Sequence, residues 1–299
     1  MNRPATRLQL LMFFYLCVMW GGTWIGMKVG TAAVPPGVFS GLRWSVAGGV
    51  VLIYLAVRGQ PIRFPLRLVG RVLLVALLMI SFNVVVMLYG LRHVGSGLAS
   101  VVSSALTPVA LLGFATMLGQ ERFDRRQIGA IVLGIAGIVL LFGPKAALGR
   151  FDLAELIGTL MVIAGNLSYC LGSVMARPLM RNLAPVQMAG VTNFLGGIIL
   201  LIGSILFEPG AVGALRLDWG WAPWLSWWFL VLPGSLGATT VYFILVRDWG
   251  ASRTGTYAFI SPVISVAAGI AILGERVDWL EAGGMVLMLV AAFMVLRKV

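Results

Sequence analysis

Arg43 has more chemistry to offer than any other residue of this sequence. It lies seven positions past Pro36, inside an apolar run. If that run is a helix rising about 1.5 Å per residue, Arg43 sits roughly 10 Å deep, near the limit of outward snorkelling. A guanidinium there binds a carboxylate through two parallel N–H···O bonds. The alternative is a structural arginine satisfied by carbonyls of neighbouring helices. Uncharged polar groups recur in the other apolar runs: Asn83 and Tyr89, then Ser100, Ser103, Ser104 and Thr107, then Asn166, Ser168, Tyr169 and Ser173. Later runs add Thr192 and Asn193, then Thr239, Thr240 and Tyr242, and finally Thr254, Thr256, Tyr257 and Ser261. Polar groups are costly in hydrocarbon and usually face a bundle interior or a wet cavity. Ser and Thr have a second option, bonding their own helix backbone. The expected lining of a central site is therefore Arg43, Asn83, Tyr89, Asn166, Tyr169 and Tyr257, with Trp20 beside them. Trp20 and Tyr169 match in position when Pro36 is aligned with Pro185. Rings on a cavity wall stack on an aromatic ligand; the same rings can equally serve packing or lipid contact.

Several kinds of chemistry are missing. The chain has one histidine, His93, in a short loop, and two isolated cysteines, Cys17 and Cys170, in apolar context. All ten carboxylates, Glu121, Asp124, Asp152, Glu155, Glu208, Asp218, Asp248, Glu275, Asp278 and Glu281, fall in loops or at run ends. An enzyme buried in these runs needs a nucleophile with a base or a set of metal ligands. Neither pattern is present, so no catalytic residue, metal or cofactor is expected. Proton-driven carriers commonly keep a carboxylate or histidine within the bilayer, so transport of a solute down its own gradient is expected instead.

The elements that position these residues are membrane spans. Hydrophobic residues make up 60% of 299 and charged residues 11%, where a soluble chain carries about 25% charged. Mean hydropathy is +1.00. Spans need about 20 apolar residues each, and ten are expected: about 8–28, 36–57, 68–91, 96–118, 127–143, 155–177, 185–207, 223–246, 254–273 and 279–296. The first lacks a small-residue cleavage site and is expected to stay as a span. Pro35-Pro36 opens the second helix and Asp152 caps the sixth. Trp219, Trp221, Trp224, Trp227 and Trp228 suit an interfacial belt.

A net charge of +12 would suggest nucleic acid in a soluble protein. Here the basic residues lie between spans and set orientation instead. Fifteen Lys and Arg fall on one side, six on the other, and Arg43 inside a span, which places both termini in the cytoplasm.

The chain is also a duplication. Pro108, Glu121-Arg122, Asp124 and Gly129 recur as Pro262, Glu275-Arg276, Asp278 and Gly283, each 154 residues on. Five spans per unit is an odd number, so the second unit crosses the membrane in the opposite sense. Two similar halves of inverted topology can exchange shapes and alternate access to a shared site. Pro108 and Pro262 each remove a helix hydrogen bond and are expected as kinks, with hinging a further option.

Three segments carry a family resemblance: "WGGTWIGMKVG" in the first span, "VFSGLRWSVAGGVVLI" in the second, and proline followed by Gly119-Gln120-Glu121-Arg122 or Gly274-Glu275-Arg276. The chain resembles the drug/metabolite transporter superfamily, EamA type, and within it the aromatic amino acid exporters related to YddG. The resemblance covers nearly the whole chain, as repeats at 1–147 and 148–299. It implies an all-α membrane protein of ten helices in two inverted five-helix repeats, in a bacterial inner membrane. It implies efflux of a small metabolite and does not fix which. An amino acid-like substrate with an aromatic or apolar side chain is expected, with the lipid bilayer as surroundings and no nucleic acid partner. The oligomeric state is left open, a monomer being one reading. Carriers of threonine, homoserine or cationic drugs share the pattern. The second half departs from the first at Thr192, which stands where Arg43 stands in the first.

Overall fold

The structure, a computed structural model, describes residues 6–120 except 61 and 63, residues 152–274, and scattered positions outside these ranges. The Glu121-Arg122 and Glu275-Arg276 pairs, nearly all of the fifth expected span and most of the tenth lie outside the described residues. Regular structure among the described residues is helical throughout. The helices are α1 (Arg7–Thr31), α2 (Pro36–Val57), α3 (Leu66–Leu91), α4 (Ser96–Met117), α5 (Leu153–Leu179), α6 (Pro185–Phe207), α7 (Trp221–Trp249) and a segmented α8 over 251–273. Seven of them, α1 to α7, are long and apolar enough to cross a membrane.

Local chemistry sets the starts. Thr6 and Gln9 close a capping box on α1, satisfying two donors that the first turn leaves free. Pro36 and Pro185 occupy the first turns of α2 and α6, where the missing N–H costs nothing. The Asp152 carboxylate accepts from Ala154 N at 2.8 Å and caps α5. The tryptophan segment divides its labour. Trp221 and Trp228 face outward, as an interfacial belt requires, whereas Trp219 and Trp227 are buried. Trp219 stacks on Trp224 with centroids 4.6 Å apart, and Trp227 donates to Phe39 O at 3.2 Å. These indoles clamp the connection onto α2 rather than anchoring it in headgroups.

Packing is paired across the two halves. α1 lies on α7 and α8, and its counterpart α5 lies on α3 and α4. α7 packs on α2 as α3 packs on α6, while α2 meets α6 and α4 meets α8. Each half is therefore completed by the other. The closest approach is between α2 and α6. A methyl group built on Gly48 would sit 2.2 Å from Phe194 N, and one on its counterpart Gly197 would sit 2.3 Å from Ser45 N. Gly41 and Gly190, one heptad earlier, are similarly tight, with first neighbours at 2.8 Å. Lipid tails give helices no hydrophobic drive to associate, so small residues that admit backbone contact supply the attraction.

Two departures from regular α-geometry matter for the site. α3 widens into a π-helical segment at Leu77–Phe82 and α7 at Leu230–Ala238. Shifted by the offset that relates Pro108 to Pro262, the first falls on the second. Such segments are rare and tend to mark functional sites. The prolines themselves behave differently from expectation. Pro108 lies inside a continuous α4. Pro262 is not inside a helix run: it stands in the first turn of Ser261–Leu273, after a 3-10 segment at Gly255–Phe259. A proline at the start of a helix loses no bond, so the break in α8 falls just before it.

The glycine contacts make the α2–α6 seam testable. Gly48→Ala or Gly197→Ala is expected to cost about 1–3 kcal/mol through overpacking, read as a lower Tm in detergent. Gly203→Ala on α6, where no atom lies within 4 Å, should leave Tm unchanged or slightly raised. Orientation is testable separately. With Cys17 and Cys170 replaced, cysteines at Gln120 and Gly274 are expected to label from opposite faces of the membrane. Labelling of both from one face would overturn the inverted arrangement.

Candidate functional site

Helices α1 to α8 all contribute to one internal cavity of about 120 Å³. The structure brings six of the expected site residues to it: Trp20 on α1, Arg43 on α2, Asn83 on α3, Asn166 and Tyr169 on α5, and Tyr257 on α8. Tyr89 is the exception and needs correction. It stands near the end of α3, where its hydroxyl donates to Glu208 Oε1 at 2.8 Å and Arg92 lies 5.0 Å over its ring. α3 is long enough to run past the cavity, so its last turn belongs to the rim. Glu208 there also accepts from Gly37 N at 2.9 Å and bonds Ser204 Oγ. The carboxylate ties the end of α6 to α2 and α3. Pro108 is buried in α4 but is not among the cavity residues.

Arg43 is 3% exposed. Its Nε donates to Ser235 Oγ at 2.7 Å, and its guanidinium carbon lies 4.5 Å over the Trp44 ring. Among the described residues its terminal nitrogens bond nothing and no carboxylate neutralises it. The carbonyl satisfaction open to a structural arginine is therefore absent. One edge of the fork is fixed, and the other is free for an acceptor. Trp44 Nε1 and Thr239 Oγ1, on two other cavity residues, also lack partners among the described residues.

Beside the arginine stand four rings. Trp20 meets Tyr257 edge-on at 4.7 Å between centroids, Tyr242 at 5.0 Å and Tyr169 at 6.0 Å. Tyr169 and Tyr242 are 5.8 Å apart. These are separations at which aromatic pairs attract. The rings pack edge-on or tilted against one another and fill much of the space, so the cavity is smaller than the roughly 300 Å³ at which ligand pockets begin. A bulky ligand enters only if Trp20 and the tyrosines part.

The asparagines have a second duty. Asn166 Nδ2 donates to Ser103 O at 2.9 Å, one turn before Pro108, and its Oδ1 accepts from Thr107 at 3.0 Å. Asn83 Nδ2 donates to Met79 O at 3.0 Å within the π-helical segment. Around both π-helical segments, carbonyls are met by side-chain donors: Leu78 O by Ser168, Pro233 O by Tyr15 and Ser235 O by Asn193. With no water in the bilayer core, widened backbone needs such partners.

Ser235 is the site residue that sequence reasoning missed. A serine within a long apolar stretch carries no signal alone. The signal was available in Pro233-Gly234, which disfavours regular helix, and in Ser81, which matches Ser235 in the other half. Ser81 bonds Gly196 O of α6 at 2.8 Å, as Ser235 bonds Arg43 of α2.

The chain matches, over residues 7–143 and again over 156–297, a family model described as the EamA-like transporter family. It is 29% identical over 276 residues to the uncharacterized inner membrane transporter YedA of Escherichia coli (strain K12), covering 90% of this chain and 85% of that one. It is 29% identical over 303 residues to the uncharacterized transporter YvbV of Bacillus subtilis (strain 168), covering 99% and 93%. A WAT1-related chloroplastic protein of Arabidopsis thaliana is 24% identical, with 92% of this chain covered and 66% of that one. A solved crystal structure superposes with a TM-score of 0.71 at 19% identity, over 98% of this chain and 99% of the other.

The bond from Arg43 to Ser235 yields a prediction. Ser235→Ala is expected to weaken binding of a carboxylate-bearing ligand about tenfold, the scale of a hydrogen bond to a charged group, while leaving binding of its amide analogue unchanged. Arg43→Ala should abolish that discrimination altogether. Equal losses for acid and amide would make both residues purely structural.

Proposed function

The chain belongs to the EamA-like transporter family, and from that premise we propose that it exports amino acids with aromatic or apolar side chains across a bacterial inner membrane by alternating access. The observation that carries the reading is the half-occupied Arg43 fork beside the ring cluster of Trp20, Tyr169, Tyr242 and Tyr257. The fork takes the substrate carboxylate in a bidentate pair. The rings exchange contacts with one another for contacts with the substrate side chain. The ammonium is met by oxygens of Ser103, Ser104 and Asn166 and by ring faces. Cationic drugs would suit the rings but face an unneutralised arginine. Threonine or homoserine would satisfy Arg43 and leave the rings without a partner.

Alternating access fits the way the halves complete one another. The counterparts α4 and α8 take different shapes, one continuous and one broken before Pro262. Exchange of those shapes would open the site on the other face. The Glu208 contacts to Tyr89 and Gly37 close the rim away from the termini. Among the described residues no Asp, Glu or His lines the cavity, which supports the substrate gradient as the driving force. A ligand shifts the equilibrium only by its differential affinity for the two states, and Arg43 keeps its proton in both.

Counterflow into liposomes holding only this protein is the test. Labelled phenylalanine, tryptophan and leucine are expected to exchange well above threonine, homoserine or an organic cation. With the potential clamped and a pH gradient imposed, accumulation should stay at equilibrium. A cation outpacing the amino acids, or uphill accumulation driven by the pH gradient, would refute the substrate assignment and the driving force respectively.

A further inference from the structure

We propose that a basic depression at the arginine-rich face is a binding site for the phosphate headgroup of an anionic phospholipid. The depression measures about 510 Å³ and is lined by Gly119 and Gln120 after α4, by Arg177, Pro178, Met180 and Arg181 at the end of α5, and by Arg247 at the end of α7. Both halves build it. Three arginines converge on it, and among the described residues no carboxylate lines it.

Among the described residues these charges are balanced only in part. Arg247 donates to Asp248 Oδ1 at 2.7 Å, but Asp248 also accepts from Gln9 Nε2 at 3.1 Å. That carboxylate pairs with Arg247 and leaves Arg177 and Arg181 unmatched among the described residues. The guanidinium groups of Arg177 and Arg181 have no hydrogen-bond or ion-pair partner among the described residues. Arg177 is nevertheless placed. It packs over Gly250, where an added methyl group would lie 3.3 Å from its guanidinium, at a φ of +86° that already favours glycine. Gln120 is fixed by its bond to Val174 O at 2.9 Å.

Helix dipoles explain one arginine at each of the α5 and α7 C-termini. They do not explain why Arg181, beyond the end of α5, turns to the same depression. Like charges in one hollow repel, and guanidinium groups are suited to phosphate oxygens. The surroundings select a lipid as the source of that phosphate. The depression lies where α4, α5 and α7 end, at the level of the headgroups, on the face assigned to the cytoplasm, where anionic lipids attract basic residues. Met117 and Leu118, just before Gly119, are 79% and 48% exposed and apolar. They offer an acyl chain a track leading from the headgroup. Bound between Gln120 of the first half and the arginines of the second, the lipid would hold those helix ends together in this state.

The test uses the whole purified protein in detergent and does not depend on the substrate reading. Phosphatidylglycerol is expected to raise Tm and to remain bound in native mass spectra, while phosphatidylcholine and inorganic phosphate do neither. Arg177→Gln with Arg181→Gln should weaken phosphatidylglycerol binding about tenfold or more and leave the lipid-free Tm in place. Arg67→Gln with Arg71→Gln, exposed on the same face, should leave binding intact. Equal losses in both double variants would mean diffuse surface charge and overturn the site. So would no response to phosphatidylglycerol, or an equal response to inorganic phosphate. If the lipid-free Tm of the Arg177/Arg181 variant falls, Arg177→Lys supplies the check: it keeps the charge, loses the planar fork and should bind with intermediate strength. Full binding by Arg177→Lys would refute recognition by the fork.

Discussion

The backbone-to-backbone approach of α2 and α6 is the constraint on which the rest depends. Gly41, Gly48, Gly190 and Gly197 repeat at a heptad on both helices and match one another across the duplication. Side chains at any of them would hold the helices apart. Because they touch, α7 can pack on α2 and α3 on α6 in the same way. That placement brings the α7 π-helical segment to Arg43, with Ser235 in reach of Nε, and the α3 segment to α6, with Ser81 in reach of Gly196 O. A shift of an ångström at the seam would leave Arg43 buried with no hydrogen-bond partner. A buried guanidinium in that condition is among the costliest groups a membrane protein can hold.

The π-helical segments explain why polar residues recur along these helices. A widened helix leaves carbonyls without their usual donors, and a bilayer has no water to supply them. Ser168, Asn83, Tyr15 and Asn193 each donate to one such carbonyl. Irregular backbone at membrane depth is tolerated where it lines a cavity or is buried in protein, and here it does both. Polar side chains support the bent backbone, and the bent backbone presents Ser235 to the arginine.

Much of this was legible in the sequence, for identifiable reasons. Period and composition marked the helices, because hydrocarbon demands long apolar runs. The offset from Pro108 to Pro262 marked the duplication without any alignment. Arg43 stood out because charge inside a span is rare. The features that stayed hidden depend on distances between helices. Nothing in the sequence separates Asn83, on the cavity and bonded to its own helix, from Tyr89, two turns on and at the rim. Glu208 was placed only as one of ten carboxylates in loops or at run ends, yet it gathers α2, α3 and α6. The prolines looked equivalent because the local sequences are alike. The structure makes one a mid-helix residue and the other a helix start.

That last difference bears on mechanism. If the two halves shared one shape, the assembly would be symmetric and the cavity would relate equally to both faces. Among the described residues the halves differ where α4 is continuous through Ser100, Ser103 and Ser104 while α8 turns 3-10 at Gly255–Phe259. Both stretches touch the cavity, through Ser103 and Ser104 on one side and Tyr257 on the other. A 3-10 segment is longer per residue than an α-helix, at about 2.0 Å against 1.5 Å. Interconversion over five residues therefore moves the helix from Ser261 onward by roughly 2–3 Å along its axis. Pro262 permits this because the helix it opens loses no hydrogen bond when the turn before it unwinds. Pro108 leaves the same freedom in α4, since one bond there is already absent. In the proposed alternating-access cycle the duplicated proline would thus mark a point of yielding in each half, next to the ring of Tyr257 on the cavity wall.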